Sequence, residues 1–252
     1  MNRDARGILV GMVFGDSYLN VRQRGGHISS EMRVLHSLKQ ADYCRHKAEL
    51  LRKLLNRNFT ANIIKNGPGG KYWAINFSAT HPYFKQLKKW CYPGGKKTYT
   101  TKTLNMLTPQ GIAYWYMDDG SCSVNINKHG WVSSCSTSIA TMCSLAEVDT
   151  IVDWFLNEYG IEFKVRHRKT SSPEFAYSIQ TNTNGSREFA GIVQPYIIPS
   201  MMYKLAHVAD LKSHECRAST GICVECSKPI YDARHKGLCV TCYTRQYHRK
   251  SG

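Results

Sequence analysis

Residues 108–121 read TPQGIAYWYMDDGS, an apolar and aromatic run that stops on two adjacent carboxylates and a glycine. Three readings compete for it. It is a solvated turn, the YMDD hairpin of a reverse transcriptase, or a helix that carries an acid to its end and holds it against a metal. Thr108 followed by Pro109 favours the helix, since threonine caps free N–H groups and proline suits a first turn. A polymerase would also need another upstream carboxylate and a much longer chain. Nor does the hairpin explain why the run has a twin. Residues 7–19, GILVGMVFGDSYL, form another apolar stretch ending in an acid, with Asp16 lying 103 residues before Asp119.

The segments downstream of the two runs correspond as well. Residues 40–59 and 145–163 show helical spacing, with Leu50, Leu51, Leu54 and Leu55 in one and Val148, Ile151, Val152, Phe155 and Leu156 in the other. Residues 71–81 and 175–186 alternate as strands do, and 81–93 and 186–199 each read as a short helix ended by proline. Helix, two strands, helix, two strands, helix thus occurs twice, which predicts an internal duplication of about 100 residues over positions 5–211. The expected architecture is α+β: halves 1–107 and 108–211, a linker at 212–221 and a small module at 222–252.

The chain of 252 residues is 42% apolar, enough for a sizeable core, and carries 34 Lys+Arg against 18 Asp+Glu for a net charge of +16. Such an excess calls for a polyanionic partner, and nucleic acid fits better than a membrane surface because no basic amphipathic helix stands out. No apolar run reaches the length of a membrane span, and the N-terminus lacks the small-residue cleavage site of a signal peptide. Of ten cysteines, six are scattered singly and four sit in two CxxC pairs. That pattern suits an intracellular, reducing compartment, cytoplasmic or phage- or organelle-encoded, rather than a secreted disulfide protein.

The two acid-ended runs resemble the paired motifs of single-chain LAGLIDADG homing endonucleases. The first aligns as LVGMVFGDS at 9–17 and the second as IAYWYMDDG at 112–120. HSLKQADYCRHK at 36–47, YPGGKK at 92–97 and IIPSMMYKL at 197–205 look like the same family. The resemblance implies a pseudo-twofold duplicated αββαββα fold, with Asp16 and Asp119 as the acids that hold Mg²⁺ or Mn²⁺. Asp118 occupies a letter where the family has a small residue and is not expected to be a ligand. By the same resemblance Lys97 assists catalysis in the first half. Lys204 is an approximate counterpart in the second half, where Ser200 aligns better by spacing. Gly7, Gly11 and Gly15 leave one face of the first helix bare, so a second helix can approach closely. Tyr114 and Trp115 are larger than the family pattern, which moves the expected seam of the second helix to Ala113 and Met117.

Strands after the acids alternate between apolar and basic faces, with Asn20, Arg22 and Arg24 opposing Leu19 and Val21, and Lys164, Arg166 and Arg168 opposing Phe163 and Val165. These six residues, with His36 and Gln40 near the second strand's end, are the candidate contacts to duplex DNA. Cys223, Cys226, Cys239 and Cys242 have the spacing of a tetrahedral zinc centre in a treble-clef or ribbon-like finger. Arg245, Arg249 and Lys250 make its end basic and add candidate DNA contacts. The implied activity is Mg²⁺-dependent, site-specific double-strand cleavage by a monomer that promotes the spread of an intron or intein. The alternative is a non-cutting binder on the same scaffold, an intron RNA maturase or a transcription regulator.

Overall fold

The computed structural model describes residues 1–24, 27–126, 132–167, 177–205, 208, 221–226, 229–230, 238 and 242, with backbone alone at 23–24, 27–28, 221 and 229–230. The chain divides into one unit of Met1–Asp210 and another of Leu211–Gly252.

The larger unit repeats one plan. Its first half runs α1 (Arg3–Phe14), β1 (Tyr18–Arg24), β2 (His27–Ser37), α2 (Ala41–Leu55), β3 (Asn62–Asn66), β4 (Tyr72–Thr80) and α3 (Tyr83–Cys91). A four-residue helix, α4 (Thr101–Leu104), leads into the second half: α5 (Pro109–Asp119), β5 (Gly120–Ile126), β6 (Val132–Cys143), α6 (Leu145–Tyr159), β7 (Lys164–His167), β8 (Tyr177–Gln180) and α7 (Thr183–Val193). The sheets are antiparallel and share one strand order, β1-β2-β4-β3 and β5-β6-β8-β7. Asn182 caps α7 by accepting from the Gly185 N–H, so the helix begins three residues before its expected start at 186 and the expected strand ends early.

Each sheet buries one face against its own helices. Leu19, Met32, Val34, Ile75, Phe77 and Ala79 fill the first inner face, and Cys135, Thr137, Ile139 and Ile179 the second. α1 and α5 run through the middle and are buried along nearly their whole length, so both read as apolar all round rather than striped. Each is fixed at its start by a side-chain cap: Asn2 accepts from the Ala5 N–H at 2.8 Å and Thr108 from the Gly111 N–H at 3.2 Å.

The two middle helices meet backbone to backbone. A Cβ on Gly11 would run into the carbonyl of Gly111, and one on Gly111 would run into the carbonyl of Gly7. The expected seam along Ala113 and Met117 is therefore corrected to Gly111 and Asp118. The physical reason is that Gly111 and Asp118 meet α1's glycines directly, while the large rings of α5 pack around that contact, Trp115 edge-on to Phe14 of α1 at 5.3 Å. Tyr114 stacks on Tyr43 of the first half, while Trp115 stacks on Phe155 and Tyr116 meets Phe189 in the second.

In the smaller unit, β9 (Gly221–Ile222) pairs antiparallel with β10 (Pro229–Ile230), and Cys223, Leu238 and Cys242 are buried together.

Candidate active site at the helix ends

Close approach of α1 and α5 brings their C-terminal ends together. The Asp16 N–H donates to Oδ2 of Asp118 at 3.0 Å, crossing from one half to the other. Gly15 makes this contact possible, because a Cβ there would collide with the Asp118 carboxylate.

Each helix end also carries a lysine in the same relation to its acid. Lys97 Nζ donates to the carbonyl of Gly15 at 2.7 Å and to that of Phe14 at 3.1 Å. Lys204 Nζ donates to the carbonyl of Asp118 at 2.9 Å. Gly15 and Asp118 each stand one residue before Asp16 and Asp119, so Lys204 holds the position that Lys97 holds in the first half. Ser200, which sequence spacing favours, is exposed in the short helical turn before it. The lysines satisfy the free carbonyls at the helix ends and place positive charge where the helix dipole is negative.

Asp16 is half-exposed, with 45% of its side chain open. Burial and then Asp118 raise its proton affinity, against the pull of Lys47, Lys97 and Lys204. Burial, Asp16 and Asp118 push Asp119 up to about 7, with Lys97 and Lys204 opposing. Burial lowers both Lys97 and Lys204, and the three acids counter it. Asp16 and Asp119 are thus near enough to disfavour each other's charge. Asp16 and Asp119 offer hard oxygen donors.

Sequence reasoning missed the charge that sits beneath them. Lys47 and Asp118 have side chains with 0% exposure, and Lys47 Nζ lies 2.6 and 2.7 Å from the two Asp118 oxygens. Nζ is also 3.2 Å from Nε2 of His36 and 4.5 Å from the centre of the Tyr43 ring. His36 is itself buried, turned inward with Nδ1 3.3 Å from Gln40 Oε1 and 3.7 Å from Asp16 Oδ2. The sequence expectation that His36 contacts DNA therefore gives way to an inward-facing role beside Asp16, and Gln40 is its partner. Burial and then Lys47 lower His36 to about 4, which keeps the ring neutral. A one-dimensional signal for Lys47 existed. It lies on the buried stripe Tyr43, Cys44, Lys47, Ala48, Leu51, Leu55 of α2, where a lysine needs a partner.

Asp16, His36 and Asp118 bring donor atoms within 4.8 Å of one another, a grouping that could suit an ion. The hydrogen bonds argue against that use, because Lys47 already occupies both Asp118 oxygens and Nε2 of His36.

Among the outward-facing residues, Asn20 and Arg22 lie on β1 opposite Glu31 and Ser29 of β2. Glu31, another residue missed, sits 3.9 Å from Arg22 and 2.9 Å from Arg33, so the face is ordered by an acid between two arginines. Lys164 and Arg166 are exposed on β7, and Arg166 Nε donates to Gln180 Oε1 at 2.8 Å. The described outward face of the second sheet is otherwise hydroxyl-rich: Ser121 pairs with Ser138 and Asn125 donates to Ser134. The Arg24 side chain and residues Arg168, Arg245, Arg249 and Lys250 lie outside the described residues.

In the smaller unit the sulfurs of Cys223, Cys226 and Cys242 lie within 4.8 Å of one another, and Cys239 lies outside the described residues. Thiolates at Zn–S distances of about 2.3 Å in a tetrahedron stand about 3.8 Å apart, so these three fit one face of such a centre.

Comparison with known proteins bears on this geometry. The chain is 29% identical over 205 residues to a protein named RecA of Mycolicibacterium chitae, covering 79% of this chain and 45% of that protein. It therefore spans less than half the length of the first curated relatives it matches. It is 24% identical over 217 residues to DNA endonuclease I-ChuI of Chlamydomonas applanata, covering 82% of this chain and 96% of that one. Its fold matches that of homing endonuclease I-WcaI, solved bound to its DNA recognition sequence, with a TM-score of 0.64, 21% identity and coverage of 81% and 86% of the two chains. The LAGLIDADG DNA endonuclease family matches residues 6–189, a span that holds both acid-ended helices and both sheets, and the chain belongs to that family.

Proposed function

We propose that the protein is a site-specific DNA endonuclease that cuts both strands of a duplex, using Asp16 and Asp119. The observation that carries this reading is the junction of the two helix ends, where two acids of raised proton affinity stand beside one lysine each. A pure binder gains nothing from two crowded carboxylates that would face phosphates.

In this reading Asp16 and Asp119 hold Mg²⁺ or Mn²⁺, which supplies charge neutralisation and polarises the scissile phosphates. The protein's own part is positional. Lys97 and Lys204, tied to helix-end carbonyls, keep positive charge beside each acid and stabilise the negative charge that grows on the phosphoryl oxygens as water adds and the bridging oxygen leaves. One acid and one lysine per half give one cut per strand. The outward sheet faces, with Asn20, Arg22, Lys164 and Arg166, grip the duplex, and Zn²⁺ held by Cys223, Cys226, Cys239 and Cys242 orders the smaller unit.

The test is cleavage of a randomised duplex library with Mg²⁺, followed by the Asp16→Asn and Asp119→Asn variants on the recovered site. Either substitution should abolish double-strand cutting while binding survives, a loss of about 10²-fold or more expected for removal of a metal-holding acid. Specific binding with no cutting by the unaltered chain would instead favour a maturase or regulator.

A further inference from the structure

We propose that Lys47, Asp118 and His36 form a positioning unit that orients Asp16 alone, so the two cleavage centres are unequal and one strand depends on this unit while the other does not. The inference rests on the nuclease reading above.

The hydrogen-bond arithmetic of Lys47 closes. An ammonium has three hydrogens and accepts none. Its three polar neighbours are Asp118 Oδ1, Asp118 Oδ2 and His36 Nε2, at 2.6, 2.7 and 3.2 Å. Nε2 must therefore accept, which puts the His36 proton on Nδ1. That nitrogen faces Gln40 Oε1 at 3.3 Å and Asp16 Oδ2 at 3.7 Å. Asp118, held on one side by Lys47, takes the Asp16 N–H at 3.0 Å with Oδ2. Asp16 is thus fixed through its backbone by Asp118, while the His36 ring, its Nδ1–H directed to Gln40, stands 3.7 Å from the Asp16 carboxylate.

Among the described residues no equivalent surrounds Asp119, and the duplication itself shows why. Asp118 corresponds to Gly15, since each precedes its acid. α2 and α6 both have 15 residues, and the seventh is Lys47 in one and Ile151 in the other. Asn20 pairs with Glu31 where Ser123 pairs with Ser136, an offset of 105 between β2 and β6 that holds as far as Ile139, beyond which β6 bulges through Ala140, Thr141, Met142 and Cys143. Glycine and isoleucine thus stand where the first half has an acid and a lysine, and the bulged segment opposite the His36 stretch holds no histidine. That space is filled by Tyr99, whose hydroxyl donates to the Thr141 carbonyl at 3.2 Å and whose ring stacks on Trp115.

The experiment uses the full chain with Mg²⁺ and a matched duplex labelled separately on each strand. The double variant Lys47→Met/Asp118→Asn removes both charges at nearly constant volume, so no lone charge is buried. It should slow the strand cut at Asp16 by about 10- to 100-fold, the range for lost support of a metal-holding residue, and more than the strand cut at Asp119, which feels only the loss of the Asp118 charge, with DNA affinity little changed, so that nicked duplex accumulates. Independently of cutting, ¹⁵N-histidine spectra of the unaltered protein should show His36, identified by its absence in His36→Gln, as the Nδ1–H tautomer. The double variant should lose that preference. Equal slowing of both strands in a folded double variant overturns the inference and leaves the nuclease reading standing. An Nε2–H signal for His36 overturns it whatever the activity. An unaltered chain that binds the duplex and cuts neither strand removes the nuclease reading and this one together.

Discussion

Asp119 holds its proton up to about pH 7 because burial and two carboxylates, Asp16 and Asp118, oppose its charge. The raised value has a consequence for stability. Between the ordinary carboxylate value of 3.8 and about 7 the folded state binds a proton that the unfolded state has released. The stabilisation is fully present below that lower value and is lost as pH rises through the upper one. Asp16 is shifted in the same direction and adds to the effect. His36, held neutral by burial and Lys47, shifts the opposite way and gains stability as pH rises, so the Asp119 contribution is read as a difference: with a chelator present, the melting temperature of the unaltered chain minus that of Asp119→Asn should fall as pH is raised from about 5 to about 7.5. Saturating Mg²⁺ should recover stability above pH 7, where the carboxylate is free to bind it. A difference between the two proteins that stays constant or grows over this window would contradict the crowded-acid description of the site.

Packing of α1 against α5 depends on glycines whose effect is local, and the same substitution has opposite signs at two places. A Cβ on Gly11 would meet the backbone carbonyl of Gly111, which cannot rotate out of the way. Gly11→Ala should cost about 1–3 kcal/mol by overpacking and separate the helix ends that carry the acids. Gly191 also lies in a helix, α7, but nothing stands within 4 Å of its missing Cβ. Gly191→Ala should stabilise by about 0.4–1 kcal/mol through the unfolded chain. Urea midpoints for the two variants should move in opposite directions. This contrast also marks what the sequence could reveal. The repeat of Gly7, Gly11 and Gly15 announces a bare face, and the duplicated order of elements predicts both sheets. The partner face on α5 is not legible in one dimension, because Tyr114 and Trp115 resemble an obstruction until Tyr114 is seen to turn to Tyr43 and Trp115 to lie among Phe14, Tyr99 and Phe155. Asp118 escapes a sequence reading for the same reason: it occupies a small-residue position, and only three dimensions show that Gly15 makes room for it. Lys47 is one basic residue among many, its stripe on α2 being the single clue.

At the scale of the whole chain, a net charge of +16 is divided between the larger unit and a smaller one whose residues 212–252 carry eight Lys+Arg and three acids. Charge of this kind acts through the phosphate backbone, where each phosphate contact releases counterions and steepens the dependence of affinity on salt. The two described sheet faces differ in this respect. Arg22 and Arg33 flank Glu31 on the first, whereas the second offers serines, Asn125 and Gln180 around Arg166. In the proposed function, sequence reading would rest on such polar groups, while the smaller unit would contribute mainly positive charge. If Arg245, Arg249 and Lys250 each meet a phosphate, deleting residues 220–252 should reduce the slope of log affinity against log salt by about 2–3 on duplex DNA. The cut position should not change, because Asp16, Asp119, Lys97 and Lys204 all lie in the larger unit. If the cysteines hold zinc, as proposed, stripping it from the intact chain should imitate the deletion, since a segment this short would depend on the metal to fold. Affinity measured across a salt series for the intact, metal-stripped and shortened chains decides the matter. A slope unchanged in all three assigns the smaller unit no phosphate contacts and leaves the grip on DNA entirely to the two sheets.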